Sequence, residues 1–178
     1  MHIKRLLFNS IFVLTLSFQW VSVAESKDLA TSGAATKLEQ LSRQLANGEI
    51  GSLEILWMDP RTVMTIPLSP ESLDMAHDLK LKIESLPTRK KLTRDLVIAL
   101  KNTSIEQYDK RWEEDVRWRL RFFAKNDSHT VVTLYFSGGS YKNTSLGVVD
   151  NTVVYFKGGL YKWLTLNYLS SFTQFIGY

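Results

Sequence analysis

The sequence contains no cysteine. That excludes disulfide staples, a cysteine nucleophile and the lipid-bearing cysteine of a bacterial lipoprotein. The folded chain must be held together by its core. Histidine is scarce as well. Beyond the first residues only His77 and His129 remain. Neither has a second histidine three or four residues away, so no paired metal ligands are visible.

The common catalytic and ligand signatures are missing too. There is no G-x-S-x-G elbow, no G-x-x-x-x-G-K-[ST] phosphate cradle and no D-x-D-x-D-G calcium loop. Asp127-Ser128-His129 has the letters of a triad. Adjacent residues in one turn cannot converge as nucleophile, base and orienter, which come from separate elements. No cofactor is implied.

What is present begins with a leader. Met1-His2-Ile3-Lys4-Arg5 is basic, and Leu6 to Ala24 is apolar and uncharged. The run ends in the small residues of Ser22-Val23-Ala24, and Glu25 opens a polar stretch. Basic start, greasy middle and small-residue exit predict a secretory signal peptide over 1–24. The rival is an uncleaved inner-membrane anchor, since nineteen uncharged residues would make a helix of roughly 28 Å. Asn9, Ser10, Thr15, Ser17 and Gln19 dilute the run and favour the signal. The expected location is periplasmic or secreted, with membrane contact only through an uncleaved leader.

The whole chain has 22 Lys+Arg and 18 Asp+Glu. Lys4 and Arg5 belong to the leader, which leaves 20 cations against 18 anions. This near balance gives no field for nucleic acid. Residues 25–34 read as a polar linker. The rest, 35–178, reads as one domain, long enough to bury roughly two thirds of its unfolded surface.

Leu38, Leu41 and Leu45 recur at helical spacing, and Asn47-Gly48 supplies a stop, predicting a helix over 35–46. Ser52 to Met58 reads as a strand with Leu53, Ile55 and Trp57 on one face. Residues 62–66 read as a second extended piece. Ser69-Pro70-Glu71 is a helix start. Leu79, Leu81 and Ile83 then alternate with Lys80, Lys82 and Glu84, which predicts a strand. One helix over 70–86 is the competing reading. A further helix follows from Pro87 to about Lys101, and Asn102-Thr103-Ser104 reads as loop.

The C-terminal half is β-rich. Strands are expected over 115–123, 130–136, 145–149 and 152–157, with Asp150-Asn151 as a tight turn and a last helix from Leu160 to about Phe172. Tyr135 to Lys142 and Tyr155 to Lys162 match at six of eight positions, 20 residues apart. Each copy reads as a strand ending at a Gly-Gly corner. The predicted fold is α+β, a mainly antiparallel sheet with helices packed on one face.

One surface is singled out. If Val116, Trp118, Leu120 and Phe122 face the core, Arg117, Arg119 and Arg121 form a row on the other face, about 6.8 Å apart. Like charges at that spacing need compensation, either from cross-strand carboxylates or from an external anion or acidic partner. Thr133 and Tyr135 would share that face. Arg117, Arg119, Arg121, Thr133 and Tyr135 are therefore the candidate partner-binding residues, since Arg and Tyr are enriched where interfaces bind strongly.

Two other groups are weaker candidates. The acidic cluster Asp109, Glu113, Glu114 and Asp115 could supply the pair of a carboxylate hydrolase, or be a solvated acidic run before a strand. Tyr155, Phe156, Tyr161, Trp163, Tyr168, Phe172, Phe175 and Tyr178 would pack a core, or form a membrane-facing or sugar-stacking surface, with a ligand or glycan cleft between the sheet and the last helix. The function expected from the sequence is an exported, non-enzymatic protein-binding module. It would be inhibitor- or immunity-like, or an accessory envelope component with an envelope protein partner. An anionic or glycan ligand is the alternative.

Overall fold

The computed structural model describes residues 29–59, 61–108, 115–126, 129–138 and 144–169. The leader and three acids of the cluster, Asp109, Glu113 and Glu114, lie outside the described residues, as do Phe172, Phe175 and Tyr178. Seven strands form one antiparallel sheet: β1 Ile50–Trp57, β2 Leu79–Ile83, β3 Thr103–Gln107, β4 Val116–Ala124, β5 Thr130–Ser137, β6 Thr144–Val149 and β7 Thr152–Gly158. Their order across the sheet is β2-β1-β4-β5-β6-β7-β3. The α+β class and the antiparallel sheet are as the sequence predicts.

Three helices cover one face. These are α1 (29–46), α3 (Lys90–Lys101) and α4 (Gly159–Leu164). Leu38, Leu41 and Leu45 of α1 and Leu96 and Leu100 of α3 bury against Leu53, Ile55, Trp57, Leu120, Phe122, Leu134, Phe136 and Phe156. Full burial of each such side chain contributes about 1.5–3 kcal/mol. Helix α1 is longer than the leucine spacing alone indicates. Residues 29–34, expected to be linker, are helical, and Ala34 continues the buried stripe one turn back from Leu38. The helix stops at Gly48, whose φ of 72° a side chain would resist.

The fourth helix, α2 (Pro70–Met75), lies on the opposite face of the sheet, which corrects the expectation of helices on one side. It starts as predicted, with the Ser69 hydroxyl accepting from the Ser72 amide at 3.2 Å and proline at the first position. It ends within two turns, and β2 follows, so the single-helix reading of 70–86 fails. With Met58 and Leu68, Leu73 of α2 packs on Val116, Tyr135 and Val148 in a second, smaller core. A register shift between Val116 and Trp118 places Val116 there rather than beside Trp118. The strict alternation expected along β4 is broken at that point.

Other differences are local. A 3-10 turn, Leu86–Thr88, precedes α3. Thr103 and Ser104, expected to be loop, open the edge strand β3, paired with Gly158 and Lys157. Residues 62–66 form no strand. Helix α4 gives way to a π-helical turn, Thr165–Leu169. The repeated segments meet inside the core. Phe136 and Phe156 pack ring on ring at 4.6 Å, and the Tyr161 hydroxyl donates to the Gly138 carbonyl at 3.4 Å. Among the described residues no helix is long and apolar enough to cross a membrane.

Candidate functional site

Strand β4 runs between β1 and β5, and the register sets the neighbours of its arginines. Arg121 lies opposite Glu54 and Thr133, and Arg119 lies opposite Leu56 and Tyr135. All five candidate residues do share one face. That face is not open, because α2 and the connector from Met58 to Ser69 lie across it. Arg117 is 5% exposed, Arg119 3% and Arg121 about 29% at its side chain. The solvent-facing arginine row expected from sequence is therefore corrected. Arg117, Arg119 and Tyr135 are buried, while Arg121 and Thr133 are half-buried at the margin.

Compensation for the row comes from within the chain. Glu54 on β1 accepts from Arg119 and, at 2.8 Å, from Lys80 on β2. Asp74 on α2 accepts from Arg119 and, at 3.2 Å, from Arg121. Charges thus alternate from Lys80 through Glu54, Arg119 and Asp74 to Arg121. Burial pushes the Glu54 carboxyl up, but the Lys80 hydrogen bond and the charges of Arg119, Lys80 and Arg121 outweigh it and hold its pKa below the usual value. Burial, with Asp74 nearby, pushes the Tyr135 phenol up.

Arg117 has a different task. Its guanidinium donates to the Asp59 carbonyl at 3.0 Å, to the Thr62 carbonyl at 3.1 Å, and to the Asp115 carboxylate. Asp115 also accepts from the Leu68 amide. Both ends of the connector are thereby pinned to the start of β4. The Asp59 carboxylate adds a second clamp, accepting from Arg61 Nη2 at 2.7 Å and from the Arg61 amide at 2.9 Å. The Arg61 hydrogen bonds hold the Asp59 pKa below its usual value against the effect of burial. Buried guanidinium bonds to backbone carbonyls fix a loop that makes few apolar contacts of its own.

Between these clamps, residues 61–67 are all exposed. Val63 is 94% exposed and Ile66 74%, with Met64 between them. Met75, at the end of α2, is also exposed. Asp78, just beyond α2, accepts from the Asp59 amide at 2.7 Å and ties that helix end to the root of the loop. The result is an apolar crest on a buried ionic foundation. The sequence carries a signal for this: Val63, Met64 and Ile66 lie between Pro60 and Pro67, which suits a displayed loop better than a strand.

The other candidates resolve as follows. Asp115 serves Arg117 and Leu68, and no second carboxylate of its cluster is among the described residues. Tyr161 and Trp163 are buried in the main core, so they offer no stacking platform. Tyr155 meets Tyr108 edge-on, with ring centroids 5.2 Å apart.

No family model matches the chain, and no curated protein or solved structure is significantly similar to it.

Proposed function

We propose that the chain is an exported, non-enzymatic protein-binding module, inhibitor- or immunity-like or an accessory part of an envelope assembly, that engages its partner through the 61–67 loop. Export rests on the 1–24 leader, with inner-membrane anchoring as the alternative. The observation that carries the binding reading is the pairing of an apolar crest, with Val63 and Ile66 largely exposed and Met64 between them, with the Arg117 anchor beneath it. Exposed apolar side chains scattered singly are ordinary, but several on one short loop mark an interaction site. A loop already fixed loses little freedom on docking, which favours affinity.

A protein partner fits better than a lipid surface. Arg61 on the loop and Lys80 at the nearby end of β2 are each paired with a carboxylate, Asp59 and Glu54, so no basic rim attracts anionic headgroups. Half-buried Arg121 and Thr133 lie at the margin of the covered sheet face, four residues along β4 from the loop anchor Arg117, and can add polar contacts.

The test is affinity capture from the native envelope with full-length protein as bait. A partner retained by wild type and lost by the Val63→Ser/Ile66→Ser double variant, at unchanged melting temperature, supports the assignment. Equal capture by both removes the loop from the interface.

A further inference from the structure

A second feature lies on the helical side of the sheet. A cleft of about 610 Å³ opens between α1 and the corner where α3 runs into the edge strand β3. Leu38, Leu100 and Ile105 give it an apolar floor. The size is that of a small-molecule site, and most of the lining surface is apolar, with charged and polar residues Glu39, Arg43, Lys101, Thr103 and Ser104 also lining it.

Ser42 is the polar group inside. It lines the cleft, is only 3% exposed, and its hydroxyl has no hydrogen-bond partner among the described residues. A helical serine ordinarily bonds back to the carbonyl four residues earlier. Here it does not, so a donor and acceptor buried in the wall of the cleft is left unused. Such groups in native structures call for an explanation. Charge at the rim is asymmetric. Arg43 is matched by Glu39 at 3.2 Å, whereas Lys101, in the last turn of α3, forms no ion pair among the described residues. Its flexible stem can bring the ammonium over the mouth.

We infer that this cleft binds a small amphipathic anion, with its apolar body against Leu38, Leu100 and Ile105, a polar atom bonded to the Ser42 hydroxyl, and its anionic head paired with Lys101. The site is separate from the 61–67 loop and shares no residue with it, so either assignment can fail alone.

The test uses decanoate below its micellar concentration, added to the full-length protein carrying the fluorescent reporter 8-anilinonaphthalene-1-sulfonate. Decanol and decyltrimethylammonium are the neutral and cationic arms. Decanoate should displace the reporter saturably, with the cation weaker by about tenfold or more. Lys101→Glu should weaken decanoate and leave decanol unchanged. Ala35→Trp, at an exposed rim position of α1, should block binding without changing the melting temperature. Ser42→Ala should raise the melting temperature of the free protein while weakening decanoate, a combination that a purely structural serine would not give. Absence of saturable binding, equal binding of the cation, or binding indifferent to Ala35→Trp would each overturn the assignment.

Discussion

Glu54 of β1 and Arg119 of β4 form a direct ion pair in which both side chains are almost wholly withdrawn from water. Each depends on the other, because a buried charge without a counter-charge is costly. Glu54→Ala should therefore destabilise the protein by about 3–5 kcal/mol. Replacing both, Glu54→Leu with Arg119→Met, should cost far less than the two single changes added. Urea midpoints of the four proteins give the coupling directly. Simple additivity would mean that the pair is not closed.

Acid should loosen the same network. Glu54 and Asp59 have folded pKa values below their ordinary 4.5 and 3.8. A depressed carboxylate contributes stability above its unfolded value and loses it as pH falls through the folded one. Stability should thus be level above about pH 5 and decline below about pH 4. Glu54→Gln should be less stable at neutral pH but show a shallower acid decline. Melting temperatures across pH 2.5–7 (roughly the range over which carboxylates titrate) would show whether the slope changes.

Two glycines with positive φ should respond differently to alanine. At Gly158, φ is 99°, and a Cβ would lie 2.3 Å from the Asn102 carbonyl oxygen, where α3 passes into β3. At Gly48, φ is 72° and the nearest atom is 3.6 Å away. Gly48→Ala should cost about 1 kcal/mol, the conformational penalty alone. Gly158→Ala should cost clearly more, because backbone must move as well. Chemical denaturation distinguishes the two.

Removing the Ser69 cap should cost about 1 kcal/mol and act locally. Helix α2 supplies Asp74, so Ser69→Ala should raise hydrogen exchange at α2 and leave the amides of α1 and α3 protected. Uniform acceleration across the molecule would contradict a local role.

The sequence showed most of the scaffold because its signals are periodic. Leucine spacing gives α1, alternation gives β2 and β4, and Asp150-Asn151 gives the β6–β7 turn, where Asp150 takes a φ of 50°. It also placed the three arginines, Thr133 and Tyr135 on one face of the sheet. What it did not show is what lies across that face. Asp74 is twenty residues from Glu54 and forty-five from Arg119 in sequence, and only folding brings it over the row. Like charges in a strand demand compensation, but pattern alone does not say whether an internal carboxylate or a partner provides it. The break at Val116 was hidden for a related reason. A bulge preserves an apolar residue while turning it to the other core. The 62–66 loop resembles a strand in sequence because its β-branched residues suit strands equally well.

Phenylglyoxal labelling of the native protein, read site by site by mass spectrometry, tests most directly whether the arginine row is an internal foundation or an open surface. Arg43, Arg61 and Arg94 have side chains 65%, 64% and 70% exposed and should be modified early. Arg121 should be slower, and Arg117 and Arg119 should stay unmodified until the protein unfolds. Modification of Arg117 and Arg119 in the folded protein at the rate of Arg43 would contradict the buried network and the anchored loop built on it.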